Sequence, residues 1–406
     1  MKESTAGYTG AITLILGSGF LFFTDIKLAI NHQILLLILT AFLFMLIHEF
    51  IFSPWLFTTS KYQYKTNLYK SAAIRHLAFI TLAYIPYFVI SNHYYYTEIQ
   101  FKNAAILYQF IFLAVLFFGY PYILFTLKYK GNSRYDFNDY GILFLLAIVN
   151  LFRTISRKKS FLGNRRIKKI FLVMAVNFFF LTLMAQFSEN EYVQFSGALH
   201  KLIDNYDNNS FFQNYHTIYL TVFHLLFVID VGIAVIGYSV ASRWLGNRTK
   251  SVDMTFSGWM FALLCYPPMN SGFSESFIGY GRAFDNYPAP SEPILMVLMV
   301  LILACYFIYV WATITLGFKF SNLTNRGIIT GGAYQFFRHP AYTTKNTAWW
   351  LDNVWVFHNV WAVIGLGIWN YIYFMRGITE EKNLIKDKDY RDYQAKTKYK
   401  FLPGVY

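Results

Sequence analysis

The chain has 406 residues, of which 56% are hydrophobic, 21% aromatic and only 14% charged, with a formal net charge of +14. A soluble protein carries about 25% charged residues, so this composition excludes an ordinary soluble domain. It predicts an all-α, polytopic integral membrane protein whose first partner is the lipid bilayer. The basic excess reads as loop charge that orients helices rather than as a nucleic-acid footprint.

The opening stretch, "MKESTAGYTGAITLILGSGFLFF", lacks a small-residue cleavage site and is expected to be a retained first helix. A spanning helix needs about 20 mostly apolar residues. On that criterion ten spans are expected, at 8–24, 33–57, 73–91, 104–127, 168–187, 216–240, 252–267, 292–318, 343–358 and 359–375. The apolar run Gly141–Phe152 is too short to cross comfortably and is expected to be re-entrant or interfacial. Both its flanks are basic, and the following segment, Arg153 to Lys169, carries eight basic residues.

Loop 58–72 and segments 128–134 and 242–250 are also basic, whereas the 188–215 loop is acidic. The positive-inside rule makes the basic set cytoplasmic. Both termini then face the cytoplasm, in a membrane expected to be a bacterial inner membrane. The expected division is an N-terminal bundle over 1–291 and a C-terminal membrane domain with a cytoplasmic tail over 292–406. Cys265 and Cys305 both lie in apolar runs, and the nine histidines form no H-x-x-x-H or H-E-x-x-H pattern. A disulfide framework and a metal site are therefore not expected.

Ionisable groups at membrane depth are costly and point to function. The densest set is "NRGIITGGAYQFFRHPAYTTKN". Gly331–Gly332 permits a tight turn and close approach of backbone to a ligand. Arg338, His339, Pro340, Tyr342 and Asn346 follow. Beyond the apolar stretch 343–375 comes Arg376, then the adjacent pair Glu380–Glu381, then Tyr390 and Tyr393 three residues apart. A hairpin there would return Arg338 and His339 to the two glutamates. Adjacent helical residues point about 100° apart, so one carboxylate can pair with Arg or His while the other meets a ligand.

"RHPAY", one hairpin, then "EE" resembles the isoprenylcysteine carboxyl methyltransferase and phospholipid methyltransferase superfamily, over about residues 300–406. The tail "DYRDYQAKTKYKFLPGVY" is similar to that family's tyrosine-rich ending. The resemblance implies S-adenosylmethionine bound at the cytoplasmic membrane face by the RHPxY segment and the paired glutamates. The candidate cofactor-binding set is Gly332, Tyr334, Arg338, His339, Pro340, Tyr342, Asn346, Glu380, Glu381 and Tyr390. Arg376 would orient a lipidic acceptor, whose first guess is a carboxylate such as that of an isoprenylated cysteine. Family members often carry Gly where this chain has Thr344. The first 300 residues resemble those of extended bacterial members.

Two other readings compete. Membrane sterol reductases carry an "HPNY" element and bind NADPH, but here the third position of that element is Ala341 and the Glu380–Glu381 pair favours the methyltransferase. A transporter or lipid-binding protein would show paired broken helices, and only one break, at Pro267–Pro268, is visible. Upstream, His48–Glu49, Arg75–His76, Asp230 with His224, and Gly258–Asn270 are read first as packing or interhelical hydrogen bonding.

Overall fold

The computed structural model describes residues 3–24, 26, 28–59, 67–93, 102–130, 148–149, 152, 165–208, 210–270, 290–402 and 404. The expected re-entrant run Gly141–Phe152 lies almost wholly outside these residues.

The described chain is mostly helical, with one two-residue strand pair and irregular segments between helices. The helices are α1 (Ala6–Phe23), α2 (Ile30–Phe52), α3 (Leu68–Asn92), α4 (Lys102–Lys130), α5 (Arg165–Asn205) and α6 (Phe211–Ser239). They continue with α7 (Phe256–Leu263), α8 (Glu292–Leu316), α9 (Pro340–Asp352), α10 (Val360–Leu384) and α11 (Lys388–Lys396). Strand β1 (Ser251–Val252) pairs antiparallel with β2 (Thr324–Asn325).

Among the described residues, seven helices are long and apolar enough to cross a membrane: α1 to α6 and α8. Large apolar side chains such as Leu16, Phe50, Phe117 and Phe118 stay exposed on their outer faces. A soluble monomer rarely leaves so much apolar surface in water, whereas acyl chains cover it in a bilayer. The protein is thus an all-α, multi-pass membrane protein.

Three of the ten expected spans, 252–267, 343–358 and 359–375, are not among these seven. The stretch 252–267 holds only the eight-residue α7, about 12 Å at 1.5 Å per residue. That helix ends at Leu263, ahead of the Pro267–Pro268 pair. The stretch 343–358 holds the end of the 13-residue α9 and a 3₁₀ turn, Val354–His358. At about 20 Å, α9 is too short to cross a hydrocarbon core about 30 Å thick. Lys345, Asn346, Asp352 and Asn353 interrupt its apolar run. By contrast α10 extends nine residues past the expected boundary at 375, to Leu384, so that Arg376, Glu380 and Glu381 stand on a single rod.

The helices pair as antiparallel neighbours, α1 with α2, α3 with α4, and α5 with α6, while α8 packs against α6, α1 and α9. Helix α1 meets the end of α8 at close range. A Cβ on Gly7 would run into the Ile314 carbonyl, and Gly317 turns the chain with φ +47°. His48 near the end of α2 bonds Thr5 and Thr9 at the start of α1, at 2.9 and 2.8 Å. At the same end, Lys130 donates to the carbonyls of Leu56 and Thr58, Lys168 to Met254 and Lys169 to Lys250. Basic residues therefore gather at one end of the bundle, where α9 begins and α10 ends.

Candidate active site

The chain from Gly317 to His339 lays the site out before α9 begins. Gly332 has φ +56°, and a Cβ there would strike the Thr315 side chain. Glycine therefore lets the 3₁₀ turn Gly332–Gln335 press against the last turn of α8. Upstream, Glu3 accepts from the backbone N–H groups of Thr330 and Gly331 at 2.7 and 2.9 Å, tying this loop to the start of the chain. Pro340 opens α9 at its first position, where a missing N–H costs nothing.

The next link is the return of α10. Arg338 Nε donates to Glu381 Oε1 at 2.8 Å, and its Nη1 donates to the carbonyls of Thr397 and Lys398, both at 2.8 Å. His339 Nε2 approaches the same Glu381 oxygen at 3.2 Å, and Lys400 Nζ stands 3.4 Å from the other. The backbone N–H groups of Arg338 and His339 donate to Tyr399 and Lys400, both at 3.0 Å. The tail therefore runs beside the start of α9, held there through its backbone carbonyls. The His339 ring is sandwiched between Tyr342, at 5.4 Å, and Phe401, at 5.1 Å. Burial alone pushes the Glu381 carboxyl up. The hydrogen bonds and charges of His339 and Arg338 outweigh it and hold the carboxyl down to about 2.

On α10, Tyr373, Arg376 and Glu380 recur at helical spacing on one face, while Glu381 is rotated away from it toward Arg338. The Tyr342 hydroxyl donates to Glu380 Oε2 at 2.6 Å. The Arg376 guanidinium lies over the rings of Tyr342, Tyr266 and Tyr373, at 5.0, 5.4 and 5.8 Å from their centroids. Its Nη2 donates to Asn322 Oδ1 at 2.7 Å. Asn322 is fixed in turn, its backbone N–H donating to the Tyr238 hydroxyl at 2.7 Å.

A cavity of about 100 Å³ opens between these groups. Tyr334, Arg338, His339, Pro340, Tyr342, Arg376 and Glu380 line it, so seven of the eleven candidate residues share one space. The other four do not line it. Gly332 supports the wall through its close approach to α8. Glu381 knots Arg338, His339 and Lys400 together. Asn346 lies one turn beyond Tyr342 on α9. Tyr390 packs with Ile328 and Tyr393 in a separate cluster, and Tyr393 donates to the Tyr334 carbonyl at 2.7 Å. Burial and the Glu381 and Glu380 carboxylates push the Tyr390 phenol up, so it stays a neutral packing group.

Residues 296–386 match the model of the isoprenylcysteine carboxyl methyltransferase (ICMT) family. No curated protein and no solved structure matches the chain. The ICMT-like segment covers nearly all of α8 and the whole of α9 and α10, hence every residue lining the cavity except Tyr266, and the Arg338–Glu381 pair. It carries a membrane methyltransferase signature, and everything before residue 296 lies outside it.

Sequence reasoning missed several cavity groups. Tyr266 and Asn322 come from irregular segments, and Tyr309, Thr313 and Tyr373 sit inside apolar helices. None had a motif. The Asp230 carboxylate, read as a packing group, accepts from Thr313 Oγ1 at 2.6 Å and from the Tyr309 hydroxyl at 2.9 Å. Its predicted companion His224 pairs elsewhere, with Glu191 at 2.8 Å. Among the described residues no cluster of His, Cys, Asp and Glu could hold a metal ion.

Proposed function

We propose that this protein is an integral-membrane methyltransferase that uses S-adenosylmethionine and methylates a lipidic acceptor, with a carboxylate as the first acceptor class. The observation that carries the reading is the convergence of Glu380, Tyr342 and Arg376 on one cavity inside the ICMT-like segment. The donor groups fit the cofactor's chemistry. A carboxylate held by a tyrosine hydroxyl can accept from ribose hydroxyls or an ammonium group. Aromatic faces attract a sulfonium by about 0.5–2 kcal/mol.

When bound, S-adenosylmethionine supplies an electrophilic methyl carbon: an acceptor oxygen bonds to it, the sulfur–carbon bond breaks, and its electron pair stays on sulfur. No proton has to move for a carboxylate acceptor. The residues therefore have only to bind, orient and exclude water. Glu380, held by the Tyr342 hydroxyl, and the Tyr334 ring serve the donor side. Arg376, held by Asn322 and three tyrosine rings, serves the acceptor side. Glu381 acts one layer out, fastening the tail that covers Arg338 and His339.

The gathering of Lys130, Lys168, Lys169 and Lys250 at this end of the bundle supports a cytoplasmic cofactor site by the positive-inside rule. The polar donor then comes from water and the acceptor from the bilayer. In this reading the helices before residue 292 form the acceptor-side bundle.

The test is cofactor-induced stabilisation of the purified chain in detergent. A ligand at 100 times its dissociation constant stabilises by about 2.7 kcal/mol. S-adenosylmethionine should raise the melting temperature, NADPH should not, and Glu380→Gln should abolish most of the rise. A rise with NADPH instead would turn the assignment to the reductase class.

A further inference from the structure

A third basic side chain lines the cavity beside Arg338 and Arg376. Lys345 stands on α9, one turn past Tyr342, and lines the cavity together with Arg376, Tyr309 and Thr313. Its Nζ is 5.3 Å from the centroid of the Tyr309 ring and 5.5 Å from that of Trp349. Behind these rings lies Asp230 of α6, 5% exposed. Its two oxygens accept from the neutral hydroxyls of Thr313 and Tyr309. Both oxygens are engaged by those hydroxyls, and no ion pair joins Asp230 to Lys345.

The other charges around the cavity are differently disposed. Arg338 is met by Glu381, and Glu380 takes the Tyr342 hydroxyl. Arg376 is held by the Asn322 amide oxygen and by ring faces. Arg376 and Lys345 thus line one cavity, and among the described residues no carboxylate forms an ion pair with either. In a low-dielectric site such donors favour an anionic oxygen group that approaches them directly, as a charge-assisted hydrogen bond is about twice as strong as a neutral one.

We propose that Lys345 is a second acceptor-binding cation, which with Arg376 fixes the anionic head of the acceptor opposite the donor. This rests on the methyltransferase reading above. It makes the α8 wall part of acceptor selection, because the Tyr309 ring, held by Asp230 of α6, faces the ammonium. Lys345 was not among the candidate residues, and no motif marks it.

The test compares two probes that share a tail and differ only in head charge: N-acetyl-S-farnesyl-L-cysteine and its methyl ester. Binding of each to the full chain in detergent is measured by tryptophan fluorescence. Beside it, the melting shift induced by S-adenosylmethionine is recorded. The wild type should prefer the acid by about tenfold or more. Lys345→Met should lose most of that preference, Lys345→Arg should keep it, and the donor-induced shift should persist in all three. A donor shift with an undiminished acid preference in Lys345→Met overturns this inference alone, as does equal binding of acid and ester by the wild type. No donor shift in the wild type overturns the methyltransferase reading and this inference with it.

Discussion

Arg338 and Glu381, 43 residues apart in sequence, share a 2.8 Å hydrogen bond and are both buried. The pair closes the α9–α10 hairpin and pins the tail, since Arg338 also binds the carbonyls of Thr397 and Lys398. Removing one member of a buried pair costs about 3–5 kcal/mol, because the other is left uncompensated. Glu381→Ala should therefore release the tail and lower the melting temperature. Limited proteolysis should cut the variant near residues 397–402 under conditions that leave the wild type whole. Equal resistance would show that the tail is held by other contacts.

The same carboxylate gives a pH dependence of defined sign. Its folded value of about 2 lies below the ordinary 4.5. Its contribution to stability is fully present above about pH 4.5 and is lost as the pH falls through the folded value near 2. Acid should loosen the tail in that window. Glu381→Gln, which cannot ionise, should be less stable at neutral pH and show a flatter melting profile between these limits. A parallel profile in the variant would assign the acid sensitivity to another group.

Tyr342→Phe tests the orientation of Glu380 without changing charge. A hydrogen bond to a charged group is worth about 1.5–3 kcal/mol, so affinity for S-adenosylmethionine should fall about tenfold or more, read by calorimetry. The variant should still fold, because its ring stacking on His339 is untouched. Unchanged affinity would remove Glu380 from the donor site.

Gly332→Ala should destabilise for two reasons: φ is +56°, and the added Cβ meets Thr315. The expected cost is about 1–3 kcal/mol. Thr315→Ala in the same chain should recover only part of it, because the backbone strain remains. Full recovery in the double variant would leave steric contact as the whole cause.

Lys250 supplies the contrasting case. It lies 3.1 Å from Asp387 and 3.4 Å from Asp389, but its side chain is 46% exposed. Exposed pairs are worth about 0–1 kcal/mol. Lys250→Ala should barely move the melting temperature, and less at high salt. A large loss would mean that the neighbouring Asn325–Asp387 hydrogen bond, 2.9 Å, depends on it.

The sequence by itself determined the membrane class, the long apolar helices and the short list around "RHPAY" and "EE". Hydropathy over about 20 residues, loop charge and one local motif are one-dimensional signals, and they need no partner to be read. It misjudged 252–267 and 343–358, because an apolar average does not say whether a helix keeps going. Only the tertiary structure decided which glutamate faces the cavity. Glu380 and Glu381 are neighbours in sequence, and the 100° step of the helix sends one to the cavity and the other to Arg338. It alone placed Lys345, Asp230, Tyr266 and Asn322 around the same space. These four belong to different helices and loops, and their meeting is a property of packing that no spacing along the chain encodes.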